Sequence, residues 1–391
     1  MEIEQIQLNP LYENQLDMRC FARMLESPTQ SYKFYWLEAI LTLLPNKDEM
    51  TFEEVVYEMF WEAWYTVSHY HLHLGPTIEG KSENWIEHAV HIIEQDPDVI
   101  LPLQKEQFMG LLEKNRDQIK VDIDGLIKNV PYRLLSSFMV DVGGNDRIWN
   151  QKKRLIAYLE LLNETVLLPY VIIDGRGATK KIHVHPAWKQ ALLDNYSVVK
   201  SWIQMKKVKF LQDRNPGVPG IIYKLEEEEN KVRKLEKVRE LWLTYEAVSG
   251  TKICDLYSGE RISLNRLSID HFVPWSYVAS DELWNLVPMD RWNNSSKGNR
   301  LPAWNRFFPR LSSAQYNLSK MVFSNDLVRK RFEACRMQNL NAIWASENLY
   351  VPGNSPERFG NILEHNLRPI YEAAMFQGYT VWKGRDIVNR F

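Results

Sequence analysis

The sequence predicts a mainly α, multidomain protein: a helical N-terminal region with a β-hairpin, a small strand–strand–helix core, and a helical C-terminal region. Three observations predict it. Apolar residues recur at helical spacing through most of the first and last stretches of the chain. Strand-like runs bounded by turn chemistry are confined to residues 166–185 and 267–289. A chain of 391 residues is also too long for one ordinary core. The expected segments are 1–110, helical, either a plain packing domain or a winged-helix-like DNA reader; 111–220, helices plus the hairpin; 221–249, a charged connecting helix; 250–310, the strand–strand–helix core; and 311–391, helical.

Each element has a local reason. In residues 31–44 apolar positions fill most of a helix face, and Pro45 and Asn46 end it. Thr51-Phe-Glu-Glu54 is a capping box that opens a second helix to about Tyr65, and a third begins near Asn84. Residues 166–173 form a strand run whose Pro169 demands a sheet edge. Residues 174–177 are turn chemistry, 180–185 the return strand, and helices follow over 187–214. The cluster Asn215-Pro-Gly-Val-Pro-Gly220 is a candidate boundary. Residues 224–249 read as one solvated helix with opposite charges at i,i+4 spacing. The C-terminal region breaks at Gly353 and Pro356 and ends in a helix over 362–377.

Composition bounds the function. The hydrophobic fraction of 45% with 14 Trp supports filled cores, and a net charge of −2 means that any polyanion-binding surface must be local. Cys20, Cys254 and Cys335 are too few and too scattered for a disulfide framework, which points to the cytoplasm. The acidic N-terminus is no secretory signal, and no apolar run approaches a membrane span.

The chemistry-bearing stretch runs Cys254-Asp-Leu-Tyr-Ser-Gly259, Leu267-Ser-Ile-Asp-His-Phe-Val-Pro-Trp-Ser276, Asp281-Glu-Leu-Trp-Asn-Leu-Val-Pro288 and Trp292-Asn-Asn-Ser-Ser-Lys-Gly-Asn-Arg-Leu-Pro302. Residues 267–272 read as a strand ending in Asp270-His271 and 284–289 as a second strand. Asp290 is an N-cap for a two-turn helix over 291–297. Asp270 offers a hard carboxylate oxygen and Asn294 an amide oxygen, a pair suited to Mg²⁺ or Mn²⁺. His271 has the intrinsic basicity of a general base. Neighbours on a regular strand face opposite ways, so Asp270 and His271 serve one site only where the strand breaks. Lys297, three residues after Asn294, can meet a phosphate, and Asn285 can tie down the loop that carries His271.

These residues resemble the HNH (ββα-metal) endonuclease family. The Asp-His pair, Asn285 14 residues after His271, Asn294 9 residues further on, and Lys297 all fall in that family's register. The motif is especially similar to the HNH domain of the CRISPR RNA-guided DNA nucleases, and the rest of the chain loosely resembles bacterial defence or restriction-associated HNH proteins. The resemblance implies metal ligation by Asp270 and Asn294, base catalysis by His271 and a structural part for Asn285. Asn294 stands where many members have His. Only Cys254 remains of the paired cysteines that bind zinc in many members, with Ser258 where a second would stand, so no structural zinc is expected.

Five basic residues and no acid lie between Arg291 and Arg310, interleaved with Trp292, Trp304, Phe307 and Phe308. Arg291, Arg300 and Arg306 are candidate DNA contacts, and Lys206 and Lys207 could form a second clamp. The alternating His69, His71 and His73 read as a polar strand face, or less readily as metal ligands. Asp122 and Asp124 read as a turn before Gly125. The expectation is a cytoplasmic Mg²⁺- or Mn²⁺-dependent HNH endonuclease that cuts DNA in bacterial defence or restriction. A catalytically silent nucleic-acid-binding module, or a nuclease subunit switched on by a partner protein, stays open, as do RNA as substrate and a homodimer.

Overall fold

The computed structural model describes residues 12, 15–76, 83–139, 146–173, 175–225 and 233–384. It divides into two compact units, Met1–Pro216 and Gly217–Phe391, and the division falls inside the Pro/Gly cluster at 215–220. The described structure is mainly α, and no described helix is long and apolar enough to cross a membrane.

The first unit contains α1 (Met18–Arg23), α2 (Tyr32–Leu43), β1 (Glu49–Thr51), α3 (Phe52–Trp64), α4 (Trp85–Glu94), α5 (Lys105–Lys114), α6 (Lys120–Arg133), α7 (Asp146–Asn150), α8 (Lys152–Asn163), β2 (Tyr170–Ile173), β3 (Lys181–Val184), α9 (Pro186–Asp194) and α10 (Tyr196–Arg214). Helix α2 is buried all round from Phe34 to Leu41, as a central core helix must be. Both expected helix starts are real. Glu54 N–H donates to Thr51 Oγ1 at 3.1 Å while Thr51 N–H donates to Glu54 Oε2 at 2.8 Å. Asn84 and Glu87 repeat the same reciprocal cap on α4.

Pro169 directly precedes β2, which lies at an edge of a three-stranded antiparallel sheet of order β1-β3-β2. The third strand, β1, had no signal in the sequence, because a three-residue segment is too short for alternation to register. It joins the hairpin to the first helices, so segments 1–110 and 111–220 share one sheet.

Several expectations are corrected. Tyr70, Leu72 and Leu74 are buried, as alternation requires, yet His69 ends a π-helical stretch, Tyr65–His69, and His71 has φ of +51°. No strand forms there, and His73 Nδ1 instead meets Glu87 Oε1 at 3.4 Å. Among the described residues no group of three His, Cys, Asp or Glu could hold a metal ion. Asp122 and Asp124 lie on α6 rather than in a turn, and Asp122 Oδ2 is 2.9 Å from His88 Nδ1.

The second unit contains α11 (Ile221–Lys224), α12 (Glu236–Ser249), β4 (Leu267–His271), α13 (Trp275–Val278), β5 (Leu286–Asp290), α14 (Arg291–Lys297), β6 (Leu301–Pro302), α15 (Trp304–Ser324), α16 (Asp326–Asn339), α17 (Pro356–Phe376) and β7 (Val381–Trp382). The single helix expected over 224–249 is not continuous: α11 ends at Lys224 and α12 starts at Glu236, with 226–232 outside the described residues. Nor is α12 merely solvated, since Val238, Leu241 and Trp242 are buried and the helix packs on α16. Strands β6 and β7 pair in parallel, a long-range contact with no local signature.

Candidate active site

Strands β4 and β5 form an antiparallel pair that sets Asp270 opposite Val287 and His271 opposite Leu286. Asp290 ends β5 and caps α14, its carboxylate accepting the Trp292 N–H at 2.9 Å. Helix α14 then lies across the strand pair. Asn294 Nδ2 donates to Ser268 Oγ at 3.3 Å. One turn on, Lys297 Nζ reaches Asp270 Oδ2 at 3.1 Å and donates to the His271 carbonyl at 2.8 Å. Ser268 and Asp270 share a strand face by the period of two, so the helix places Asn294 and Lys297 over the face that carries Asp270.

Asp270 also accepts a hydrogen bond from Tyr257 Oη at 3.1 Å. Burial, then the Asp270 charge, push the Tyr257 hydroxyl well above its ordinary pKa, so it stays a donor. Tyr257 is held between Phe307 and Trp382, with ring centroids 5.0 and 5.1 Å away.

His271 leaves the same strand on another course. Its Nε2 lies 2.9 Å from Asp281 Oδ1. Burial opposes ionisation of Asp281, but His271, the Lys234 N–H at 2.7 Å and Arg233 outweigh it and lower its pKa. Asn339 on α16 donates to the Asp281 carbonyl at 2.8 Å, so a C-terminal helix helps hold the partner of His271. The fully buried Asn285 brackets Val273, accepting from its N–H and donating to its carbonyl, each at 2.8 Å. That pair of bonds fixes the chain just past His271.

The turn before β4 is held by protein groups. Asp255 Oδ1 accepts from Tyr257 N–H at 2.9 Å and Ser258 N–H at 2.7 Å, while Oδ2 accepts from Asp290 N–H at 2.7 Å. Arg310 donates to the Leu256 and Tyr257 carbonyls at 3.2 and 2.6 Å. Cys254 is exposed at the edge of this turn, bridged to Arg261.

The remaining expected residues fall in different places. Lys297 is 1% exposed, so it is an internal counter-ion to Asp270 and not a surface phosphate contact, a correction to the sequence reading. Arg291, Arg300 and Arg306 are exposed, although Arg300 donates to the Lys297 carbonyl and Arg306 to that of Lys383. Asn293 and Arg306 line a cavity of about 290 Å³ with Tyr257, Asp290 and Arg266, while Asn294 does not. Lys206 is half-buried in the first unit. Lys207 is 3% exposed and ion-paired with Glu38, so its clamp role is also corrected: a side chain spent inside the core cannot reach a backbone phosphate.

Sequence reasoning missed Asp281, Tyr257, Ser268 and Asp255. Asp281 lies ten residues beyond His271 in a loop, where no periodicity links the two. Asp255 had a weak signal, an Asp two residues before an aromatic in a turn ending in Gly.

A two-stranded antiparallel pair crossed by a capped short helix, with an Asp-His pair at the strand end, is a ββα unit. The HNH endonuclease family profile matches residues 255–303, and this part of the chain is an HNH domain. No curated protein and no solved structure matches the chain.

Proposed function

We propose that the protein is an HNH endonuclease that hydrolyses DNA phosphodiester bonds with the aid of Mg²⁺ or Mn²⁺. The observation that carries the reading is the layout of α14 over β4, which gathers Asn294, Lys297 and Asp270 on one face while His271 is anchored at the strand end. Asp281 accepts the Nε2 proton of His271, so Nδ1 is the nitrogen left to take a proton from the attacking water. Asn285 keeps that imidazole in place through Val273.

The donor set suits a hard cation in kind: the Asp270 carboxylate, and the Asn294 oxygen left over once its Nδ2 bonds Ser268. When bound, such an ion supplies charge for the phosphate oxygens and the leaving group. Lys297 already neutralises Asp270, so loading requires its ammonium to share the carboxylate or move aside. That contact favours one second reading, a nuclease that rests until a partner protein or the nucleic acid displaces Lys297. A part in bacterial defence belongs to the same proposal and rests on the motif's resemblance. The cytoplasm is the compartment proposed, from the sparse cysteines.

The test is incubation with supercoiled plasmid and with single-stranded RNA in Mg²⁺, Mn²⁺, Zn²⁺ or EDTA. Nicked plasmid in Mg²⁺ or Mn²⁺, absent in EDTA and with His271→Ala, is the expected result. Cleavage of RNA alone would reassign the substrate, and undiminished cleavage by His271→Ala would remove His271 from the chemistry.

A further inference from the structure

The first unit holds a cleft of about 1030 Å³, a size typical of sites for small molecules, whose lining includes Tyr32, Lys33, Trp85, Asp122, Arg133 and Trp149. Its rings are fixed in place. Tyr32 and Trp85 stack with centroids 5.5 Å apart and planes 14° from parallel, and Tyr32 Oη accepts the Trp85 N–H at 3.1 Å. Behind Trp85, Gly125 of α6 leaves room for the indole: a Cβ there would come within 2.4 Å of the ring. The Arg133 guanidinium lies 4.0 Å from the centre of the Trp149 ring.

The lining carries both signs of charge, Lys33 and Arg133 beside Asp122 and Glu83. Among the described residues, neither Lys33 nor Arg133 has a carboxylate partner. Burial, and then the charge of Arg133, push the Lys33 pKa down. Beside them Lys152 is pushed down to about 8 by burial and by Arg133, Lys128 and Lys180. The acids near the cleft are already engaged, Asp122 with His88 at 2.9 Å and Glu83 with His91 at 3.1 Å. Lys33 and Lys152 are each repelled by Arg133, and a phosphate among them relieves that repulsion.

We propose that this cleft is a nucleotide-binding site, with the base against the Trp149 and Tyr32–Trp85 rings and the phosphate at Arg133 and Lys33, with Lys152 close behind. Flat rings beside cations that have no ion-paired carboxylate among the described residues are what a base carrying phosphate requires. The nucleotide comes either free from solution or turned out of a nucleic-acid strand. The proposal does not depend on the nuclease reading, since binding is measured without cleavage.

The experiment is calorimetric titration of the full chain in EDTA. The probes are AMP, GMP, CMP and UMP, with adenosine and inorganic phosphate as controls, and oligonucleotides with and without one unpaired nucleotide. The expected result is one site per chain that takes a monophosphate more than tenfold tighter than adenosine or phosphate alone. Arg133→Ala and Trp149→Leu should each weaken it more than tenfold with an unchanged melting profile. Should Arg133→Ala melt early, Lys33→Met and Trp149→Phe make the same test. Binding of free monophosphates identifies a soluble nucleotide; binding only of the oligonucleotide with an unpaired base, weakened by the same variants, identifies a turned-out one. No binding by any probe, or binding that these variants leave untouched, overturns the proposal.

Discussion

His271 is held by one bond that defines its proton traffic, from Nε2 to Asp281 at 2.9 Å. His271→Ala is expected to lower the cleavage rate by about 10²–10⁴-fold, the usual worth of a general base. It should also cost about 1–3 kcal/mol, since the half-buried Asp281 loses one of its two donors and keeps only the Lys234 N–H; plasmid nicking and thermal melts check both. Asp281→Asn keeps the shape but permits the wrong imidazole tautomer, so activity should fall while the melting temperature changes less than in the alanine variant. Lys297 is the other decisive residue. Lys297→Met strips a buried carboxylate of its counter-ion and should destabilise the metal-free protein by about 3–5 kcal/mol. Mg²⁺ or Mn²⁺ should restore part of that loss if Asp270 binds the ion. A melt that divalent cations leave unchanged in this variant would argue against metal at Asp270.

Among the elements, the link from β4 to α13 is stiffened by Asn285 rather than by regular structure. Asn285→Ala removes both bonds to Val273 in a fully buried position and should cost about 1–3 kcal/mol per orphaned group. Denaturant titration measures this, and nicking should weaken in the fraction that stays folded. In the first unit α2, α3 and α10 meet at a charge cluster: Glu38, Glu62 and Lys207. Burial and then Glu38 raise the Glu62 pKa to about 7. In the window from its ordinary value of 4.5 up to about 7, the folded chain binds more protons at Glu62 than the unfolded chain does. Stability from this group is therefore present at low pH and lost as pH rises through 7. Glu62→Gln should flatten the decline of stability between pH 5 and 8, as read from urea midpoints. An unchanged slope would mean that Glu62 ionises freely.

For the whole molecule, a net charge of −2 leaves any DNA affinity to local cations. Arg291→Ala and Arg306→Ala should each weaken DNA binding and reduce its salt dependence by about one counterion for each arginine removed. Lys207→Met should leave that salt slope alone and instead cost about 3–5 kcal/mol of stability, because its charge is neutralised inside the first unit. Fluorescence anisotropy at several salt concentrations, with melts alongside, separates the two outcomes.

The sequence alone determined what is encoded locally. The helix starts at Thr51 and Asn84, the edge position after Pro169, and the β4–β5–α14 order with its Asp270, His271, Asn285 and Asn294 register all follow from spacing within a few dozen residues. Tertiary structure decided which charges face inward. Lys207 and Lys297 look like solvated cations in a basic run, and only packing against Glu38 and Asp270 turned them into buried counter-ions. It also decided partners that no local pattern links: Asp281 for His271, Tyr257 for Asp270, β1 for β3 and β6 for β7. The physical reason is common to all of them. Capping, alternation and turn chemistry act between near neighbours, whereas burial and charge pairing depend on chain segments that meet only after collapse.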